Sequence, residues 1–516
     1  MYIRLVNADR IARSAATILD RAVLAAALLY ILLYLTVALL RMSYPFELEW
    51  MEGGVLTELG RVLGGRPLYV APTLDYIPFD YTPLYLWVAA LPARLMGASF
   101  TALRLTSFAA SLACFALIFA LVRRPTGSST AALIAVGLYA ATYRLSGAWF
   151  DIARSDSLFL ALALAGILAL REPRGGVAGA ALAGALFGLA FLAKQTAVLI
   201  AAPLALHALL TDRRRFIVFA GVLALVAGGS TLLLNASSHG WYAYYVLAVA
   251  GGHSIDPRLL LRFWTHDLLA PLSPAVLAGL AYLMLPAPGG RAGERGFHLA
   301  AVAGLAGSSW WLRMFPVCYD NDLMQAYAGV AFLTGLGWAT LHAPRASATS
   351  REPAPGAGFG ATHLIIAIAA LAQFTVLAWP VADQVPSRAD RAAGIKLVEN
   401  LRHAPGPVLV PSHPYLAVRA GKPEHFHEVA LTDVLKRRDA GALEKAIADS
   451  LEAAYRAHRW AAIVLDTRDW MRAGAEPYYE PRWAVFDNDT VLWSRTGMLT
   501  RPQALLTPRP DSAAAR

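Results

Sequence analysis

The 516-residue chain is poor in charge: only 16% of its residues are Asp, Glu, Lys or Arg, while 57% are hydrophobic, against a usual charged share of about 25%. That scarcity excludes an ordinary water-soluble enzyme. Cysteine is nearly absent, and Cys114 and Cys318 can build neither a disulfide framework nor a zinc site of CxxC type. Lysine is also scarce. Five occur, and Lys194 is the lone one before Lys396, Lys422, Lys436 and Lys445. The net charge of +10 therefore rests on arginine, and its placement beside apolar runs points to membrane topology rather than to nucleic acid.

What the chain has is long apolar runs. Residues 22–40 contain no charge, enough to cross a hydrocarbon core of about 30 Å as a helix. Windows of this kind predict a polytopic α-helical membrane protein with about eleven spans: 21–41, 102–122, 128–146, 157–170, 176–192, 195–210, 216–236, 269–287, 297–313, 325–342 and 362–381. With the N-terminus in the cytoplasm, fifteen arginines and six acids fall on the cytoplasmic side, as the positive-inside rule requires. The first run is too long for a cleaved signal peptide, and no small-residue cleavage site follows it.

Two regions lie outside the spans. An external loop, 42–101, carries two amphipathic pieces, 51–64 and 83–97, suited to the membrane interface. After residue 382 the composition becomes that of a soluble α/β domain, 383–516, with strand-like runs at 407–411 and 461–466, helical stretches at 389–402 and 429–457, and last strands expected in WAVFDND and TVLWSRT. An odd number of spans places this domain outside, with the acidic loop. Residues 1–382 form the membrane domain, and 343–361 read as a cytoplasmic linker.

Four segments gather polar groups on the external face. FELEWMEGG holds Glu47, Glu49 and Glu52, with Glu52 in the first turn of a helix that begins near Met51, where the helix dipole favours its charge. YIPFDYTPLY holds Asp80 and Tyr81, WFDIARSDSLF holds Asp151, Arg154 and Asp156, and AFLAKQTAVL holds Lys194 and Gln195. Each has a plain structural reading: an acidic helix start, a proline-stiffened turn, a capped helix and a snorkelling lysine. Their convergence on one face instead suggests a cavity that offers a proton acceptor and cations for an anion.

This arrangement resembles the GT-C superfamily of membrane glycosyltransferases, in particular the branch of the protein O-mannosyltransferases and the lipid A aminoarabinose transferase. The family's first-loop Asp-Glu corresponds to Met51-Glu52, its His-Pro-Pro-Leu-like segment to Tyr81-Thr82-Pro83-Leu84, and its later basic positions to Arg104, to Arg154 with Asp156, and to Lys194-Gln195. Met51 replaces the usual catalytic aspartate, so Glu52, or else Glu49, inherits that work. The resemblance implies a polyprenyl-phosphate sugar donor, a glycan, lipid or protein acceptor, inverting transfer of a hexosyl or pentosyl group on the extracytoplasmic face of the inner or plasma membrane, and no nucleotide sugar. Glu52 and Glu49 are the candidate bases. Arg104, Arg154, Lys194 and Arg258 are the candidate phosphate ligands, with Asp80, Tyr81, Asp156 and His253 in support. No cofactor and no metal ligands are expected. His413, His425 and His427 have no carboxylate or cysteine at a telling spacing. Alternatives are a transporter or flippase for a lipid-linked or anionic substrate, and a noncatalytic scaffold whose exterior domain binds a partner.

Overall fold

The computed structural model describes residues 2–510 except 172–174, 253, 286–291, 344–358, 438–440 and 467–469. Helices occupy all eleven apolar windows: α1 (Tyr2–Met42), α4 (Phe100–Thr126), α5 (Ser129–Ala141), α6 (Asp156–Arg171), α7 (Gly176–Ala193), α8 (Ala197–Thr211), α9 (Arg213–Ser237), α11 (Ala270–Met284), α12 (Ala292–Arg313), α13 (Met324–Leu341) and α14 (Phe359–Val376). Five stretches are long and apolar enough to cross a membrane by length and composition: Ser14–Met42, Phe100–Thr126, Gly176–Ala193, Arg213–Ser237 and Phe263–Met284. The chain is a multi-pass membrane protein. Between α9 and α11, the short α10 (Trp241–Ala243) runs into a π-helical turn, Tyr244–Val249, and a second π-helical turn spans Phe263–Leu269.

Small residues set how closely the helices pack. A Cβ on Gly184 of α7 would stand 2.6 Å from the Phe219 carbonyl of α9, and one on Gly188 would stand 2.5 Å from Val226. Backbone proximity of this kind supplies the dispersion contact that drives helix association in lipid, where the hydrophobic effect gives little.

The external loop folds as its pattern predicts, into two short helices: α2 (Glu52–Leu63) and α3 (Leu84–Met96). Glu47 caps α2 by accepting the Gly53 N–H at 2.9 Å. Trp87, Leu91, Leu95 and Met96 of α3 stay exposed, as on a helix whose outer face meets lipid.

After α14 come α15 (Arg388–Arg402), β1 (Val408–Leu409), α16 (Pro414–Arg419), α17 (Glu428–Leu435), α18 (Ala442–Arg456), β2 (Ala462–Asp466), α19 (Met471–Ala475), β3 (Tyr479–Ala484) and β4 (Pro502–Pro508). The sheet order is β1-β2-β4-β3, parallel between β1 and β2 and antiparallel elsewhere. Here the sequence expectation needs correction. TVLWSRT is not a strand: Leu492 takes φ 58° and donates its N–H to Asp390, and the run forms turns against the external loop. The final strand is Pro502–Pro508, whose prolines sit at its two ends, where strands tolerate them. The expected helix 429–457 is likewise two helices, with Gly441 at the start of the second. The linker reading of 343–361 falls almost wholly outside the described residues.

Candidate functional site

The acidic loop between α1 and α2 is pinned from inside the bundle. Arg104, in the first turns of α4, donates Nε to Glu52 Oε1 at 3.0 Å and Nη2 to Glu52 Oε2 at 2.6 Å. Its remaining donors reach the carbonyls of Tyr44 at 2.6 Å and Phe46 at 2.7 Å. The Glu52 oxygens also accept the N–H groups of Ala153 and Leu48, both at 2.6 Å. Burial alone would raise this carboxyl; Arg104 and the two N–H groups overcome that and hold it below the usual range. A carboxylate with every lone pair engaged is a weak proton acceptor, and a guanidinium whose five donors go to one carboxylate and three carbonyls, the third being Arg41 at 3.4 Å, has none left for phosphate. Glu52 and Arg104 form a buried structural pair.

Glu49 is different. Its Oε2 accepts the Met51 N–H at 3.2 Å and Arg154 Nη1 at 3.3 Å, while its fully buried Oε1 has no hydrogen-bond partner among the described residues. Burial pushes the carboxyl up to about 8, against the pull of Arg154. Arg154 continues to the Tyr81 hydroxyl at 2.7 Å, lies over the Tyr81 ring at 5.0 Å, and approaches the Trp149 ring at 5.7 Å.

Lys194 caps α7 and donates Nζ to Asp156 and to Asp322, each at 2.7 Å. Asp156 also accepts Asn321 at 2.9 Å and the Trp149 indole at 3.0 Å. Asn321 and Asp322, in the 3-10 turn Asp320–Leu323, were missed by sequence reasoning. Two acids and an amide before an apolar helix resemble any cap, and their approach to Lys194 exists only across the bundle. Gln195 fastens the chain at Asp80 by donating to the Asp80 carbonyl at 2.9 Å and to Val246 at 3.2 Å.

The structure thus gathers Glu49, Tyr81, Arg154, Asp156 and Lys194 into one linked polar layer. Arg258 stands apart, exposed, with its backbone N–H on the Asp256 carboxylate at 2.9 Å. His253 lies outside the described residues.

The C-terminal region closes over this layer. His413 bridges Glu47 and Asp466, contacting Asp466 at 3.0 Å and Glu47 through its other ring nitrogen. Although burial opposes it, the two carboxylates hold the imidazolium well above its usual range. His427 donates to the Trp50 carbonyl at 3.2 Å and accepts the Val429 N–H, and burial lowers it to about 3. His425 accepts the Trp460 indole N–H at 3.2 Å. Each histidine has its own partners, and among the described residues no group of three or more His, Cys, Asp or Glu side chains is arranged to hold a metal ion.

Comparison with known proteins fits this geometry. The dolichyl-phosphate-mannose-protein mannosyltransferase family matches residues 80–242. No curated protein matches the chain in sequence. Among solved structures, ArnT from Cupriavidus metallidurans bound to undecaprenyl phosphate aligns over 94% of this chain and 98% of its own, with 13% identity and a TM-score of 0.61. AglB from Archaeoglobus fulgidus, an archaeal oligosaccharyltransferase in complex with an inhibitory peptide and a dolichol-phosphate, aligns over 89% of this chain and 72% of its own, at 13% identity and a TM-score of 0.54. The chain has the fold of the GT-C membrane glycosyltransferases.

Proposed function

We propose that this protein transfers a sugar from a polyprenyl-phosphate carrier to an acceptor hydroxyl, with inversion, on the extracytoplasmic face, and that Glu49 is the general base. One observation carries the reading: Glu49 Oε1 is buried, unpartnered and part of a carboxyl raised to about 8, so it gains basicity near the working pH of a cell. The acceptor O–H gives its proton to Glu49 as its oxygen bonds to the anomeric carbon. The bond from that carbon to the phosphate oxygen breaks, and the phosphate leaves with the electron pair. Arg154, two hydrogen bonds from the reacting centre, is the cation best set to meet the departing charge, because a guanidinium can grip phosphate with two parallel donors. Lys194 gives two of its three N–H donors to aspartates, which offset its charge toward an anion.

The carriers named for the ArnT and AglB structures, undecaprenyl phosphate and dolichol-phosphate, support a polyprenyl-phosphate donor here. The acceptor class is a glycan, lipid or protein bearing a hydroxyl, with residues 1–382 the membrane domain and 383–516 outside. Mass spectrometry of lipid-linked sugars and envelope glycans, from cells with and without the protein, tests the reading. Loss of one glycosyl modification with build-up of its lipid-linked precursor is expected; identical glycans and precursors in both would refute it.

A further inference from the structure

Within residues 42–54, two buried side-chain atoms on consecutive residues have no hydrogen-bond partner among the described residues. Glu49 Oε1 and Trp50 Nε1 are both buried, and neither has a partner, although buried polar groups are almost always satisfied. Both side chains border Gly497. A Cβ built on that glycine would stand 3.0 Å from Trp50 Cδ1, the atom bonded to Nε1, and 3.2 Å from Glu49 Oε1. One orphan is an acceptor and the other a donor. A hydroxyl requires that combination, because it gives one proton and accepts another on its oxygen.

Residues 494–500 lie over this pair. The N–H groups of Arg495 and Thr496 donate to the Leu48 carbonyl at 2.7 and 3.2 Å, Thr496 forms a single parallel bridge with Glu49, and the Thr496 hydroxyl bonds the Gly147 carbonyl. Within the segment, Ser494 donates to the Met498 carbonyl at 2.7 Å and accepts the Thr500 N–H at 3.1 Å. Gly497 takes φ +70°, a left-handed conformation that glycine adopts without steric cost. The cover is therefore a small self-closed loop anchored at Leu48 and Gly147 over the pair, and at its two ends by Arg495 on Asp390 and Thr500 on Asp466.

We propose that Glu49 Oε1 and the Trp50 indole N–H are the seat of the acceptor hydroxyl, and that residues 494–500 form a strap that lifts to admit it. The proposal rests on the reading of Glu49 as the base. It assigns Trp50 the task of orienting the acceptor oxygen while Glu49 takes its proton. The other groups facing Glu49 are Arg154, Glu52, Glu47 and Tyr319. Glu52 is engaged by Arg104 and Arg154 faces the Oε2 side of the carboxyl and Tyr81, whereas the Trp50 N–H is a buried, unpartnered donor beside the same glycine as Glu49 Oε1.

The test does not depend on turnover. Dicyclohexylcarbodiimide, an apolar reagent, adds to a protonated carboxyl and leaves it as an acylurea, which peptide mass spectrometry locates. At pH 6.5 in lipid nanodiscs, Glu49 should label slowly in the wild type. In Thr496→Val, which loses the hydroxyl hold on Gly147, it should label about 5-fold faster, the equivalent of one modest hydrogen bond. 1-Octanol should protect wild-type Glu49 where octane does not. Trp50→Phe keeps a ring against Tyr319 and His427 but lacks the donor, and should need about 5-fold more octanol for equal protection. Equal labelling of the wild type and Thr496→Val, protection by octane as good as by octanol, or unchanged octanol protection in Trp50→Phe would each overturn the proposal. The two readings fail separately. Were Glu49 not the base, Glu49→Gln would keep turnover while the labelling pattern held; were the seat wrong, the labelling pattern would fail while Glu49→Gln stayed inactive.

Discussion

Glu49 and Glu52 lie three residues apart, the first in the loop before α2 and the second at its start, and replacing each by glutamine should produce opposite phenotypes. Glu49→Gln keeps size and polarity but deletes the proton acceptor. Glutamine can keep its oxygen at the Oε2 position, on the Met51 N–H and Arg154, and put its amide at the Oε1 position, and a carboxyl raised to about 8 gives Arg154 little charge to lose at pH 7. The variant should therefore stay folded, retain undecaprenyl phosphate, and lose transfer by about 100-fold or more, the scale of a missing general base. Glu52→Gln turns one of two oxygens into an amide group that faces existing donors, either Arg104 with the Leu48 N–H or Arg104 with the Ala153 N–H. It also strands the Arg104 charge at a site 1% exposed. Breaking one side of a buried pair costs about 3–5 kcal/mol, a large share of the 5–15 kcal/mol that holds a typical protein together.

The pH profile gives an independent check. Burial raises the Glu49 carboxyl to about 8, so its basic form appears as pH rises through 8. In the wild type kcat/KM should climb close to tenfold per pH unit from 5 to 7 and level off above 8. In Glu49→Gln that limb should vanish. Thermal unfolding in nanodiscs, undecaprenyl phosphate binding by native mass spectrometry and transfer rates against pH separate the two variants. A stable, lipid-binding Glu52→Gln without transfer, beside an active Glu49→Gln, would refute the assignment and return the base to Glu52.

Four further outcomes are expected. Arg104→Gln leaves Glu52 buried without its cation, so it should lower the unfolding temperature; an unchanged unfolding temperature with weakened undecaprenyl phosphate binding would restore Arg104 as a phosphate ligand. Arg154→Gln should weaken undecaprenyl phosphate binding at least tenfold, since a charge-assisted bond to phosphate contributes about 1.5–3 kcal/mol, and equal affinity in both proteins would remove it from the donor site. His413→Gln, which strips the cation from between Glu47 and Asp466, should also destabilise. The folded pKa of His413 is raised above 6.5, so its contribution fades as pH rises through the folded value, and burial raises the Glu47 carboxyl to about 7, so that half of the clamp weakens as pH falls below 7; a variant with wild-type stability at pH 7 would contradict the clamp. Reporter fusions at residues 350 and 400 should fall on opposite sides of the membrane, and a shared compartment would sink the span count.

The apolar windows and the interfacial helices were readable because each is a local pattern: a run of uncharged residues, or alternating faces over 12 or 13 positions. The convergence of Glu49, Arg154 and Lys194 was readable for a different reason, since uncompensated charge beside apolar helices has few places to go. What stayed hidden is set by distance in the chain. Nothing near Glu52 announces Arg104, 52 residues away, and nothing near Glu49 announces Gly497. The motif position therefore favoured Glu52, the residue beside Met51, although its helix-start location already stabilised its charge and argued against strong basicity. The partners complete that argument. Two neighbouring carboxylates enter the same buried loop; Glu52 has both oxygens engaged by a guanidinium and two N–H groups, whereas Glu49 keeps one oxygen with no donor on it among the described residues, the difference on which the proposal of Glu49 as base rests. The run TVLWSRT shows the same override: its residues have the composition of a strand, but the backbone bonds of Arg495 and Thr496 go to Leu48, and the segment becomes a cover for Glu49 instead of an edge of the sheet.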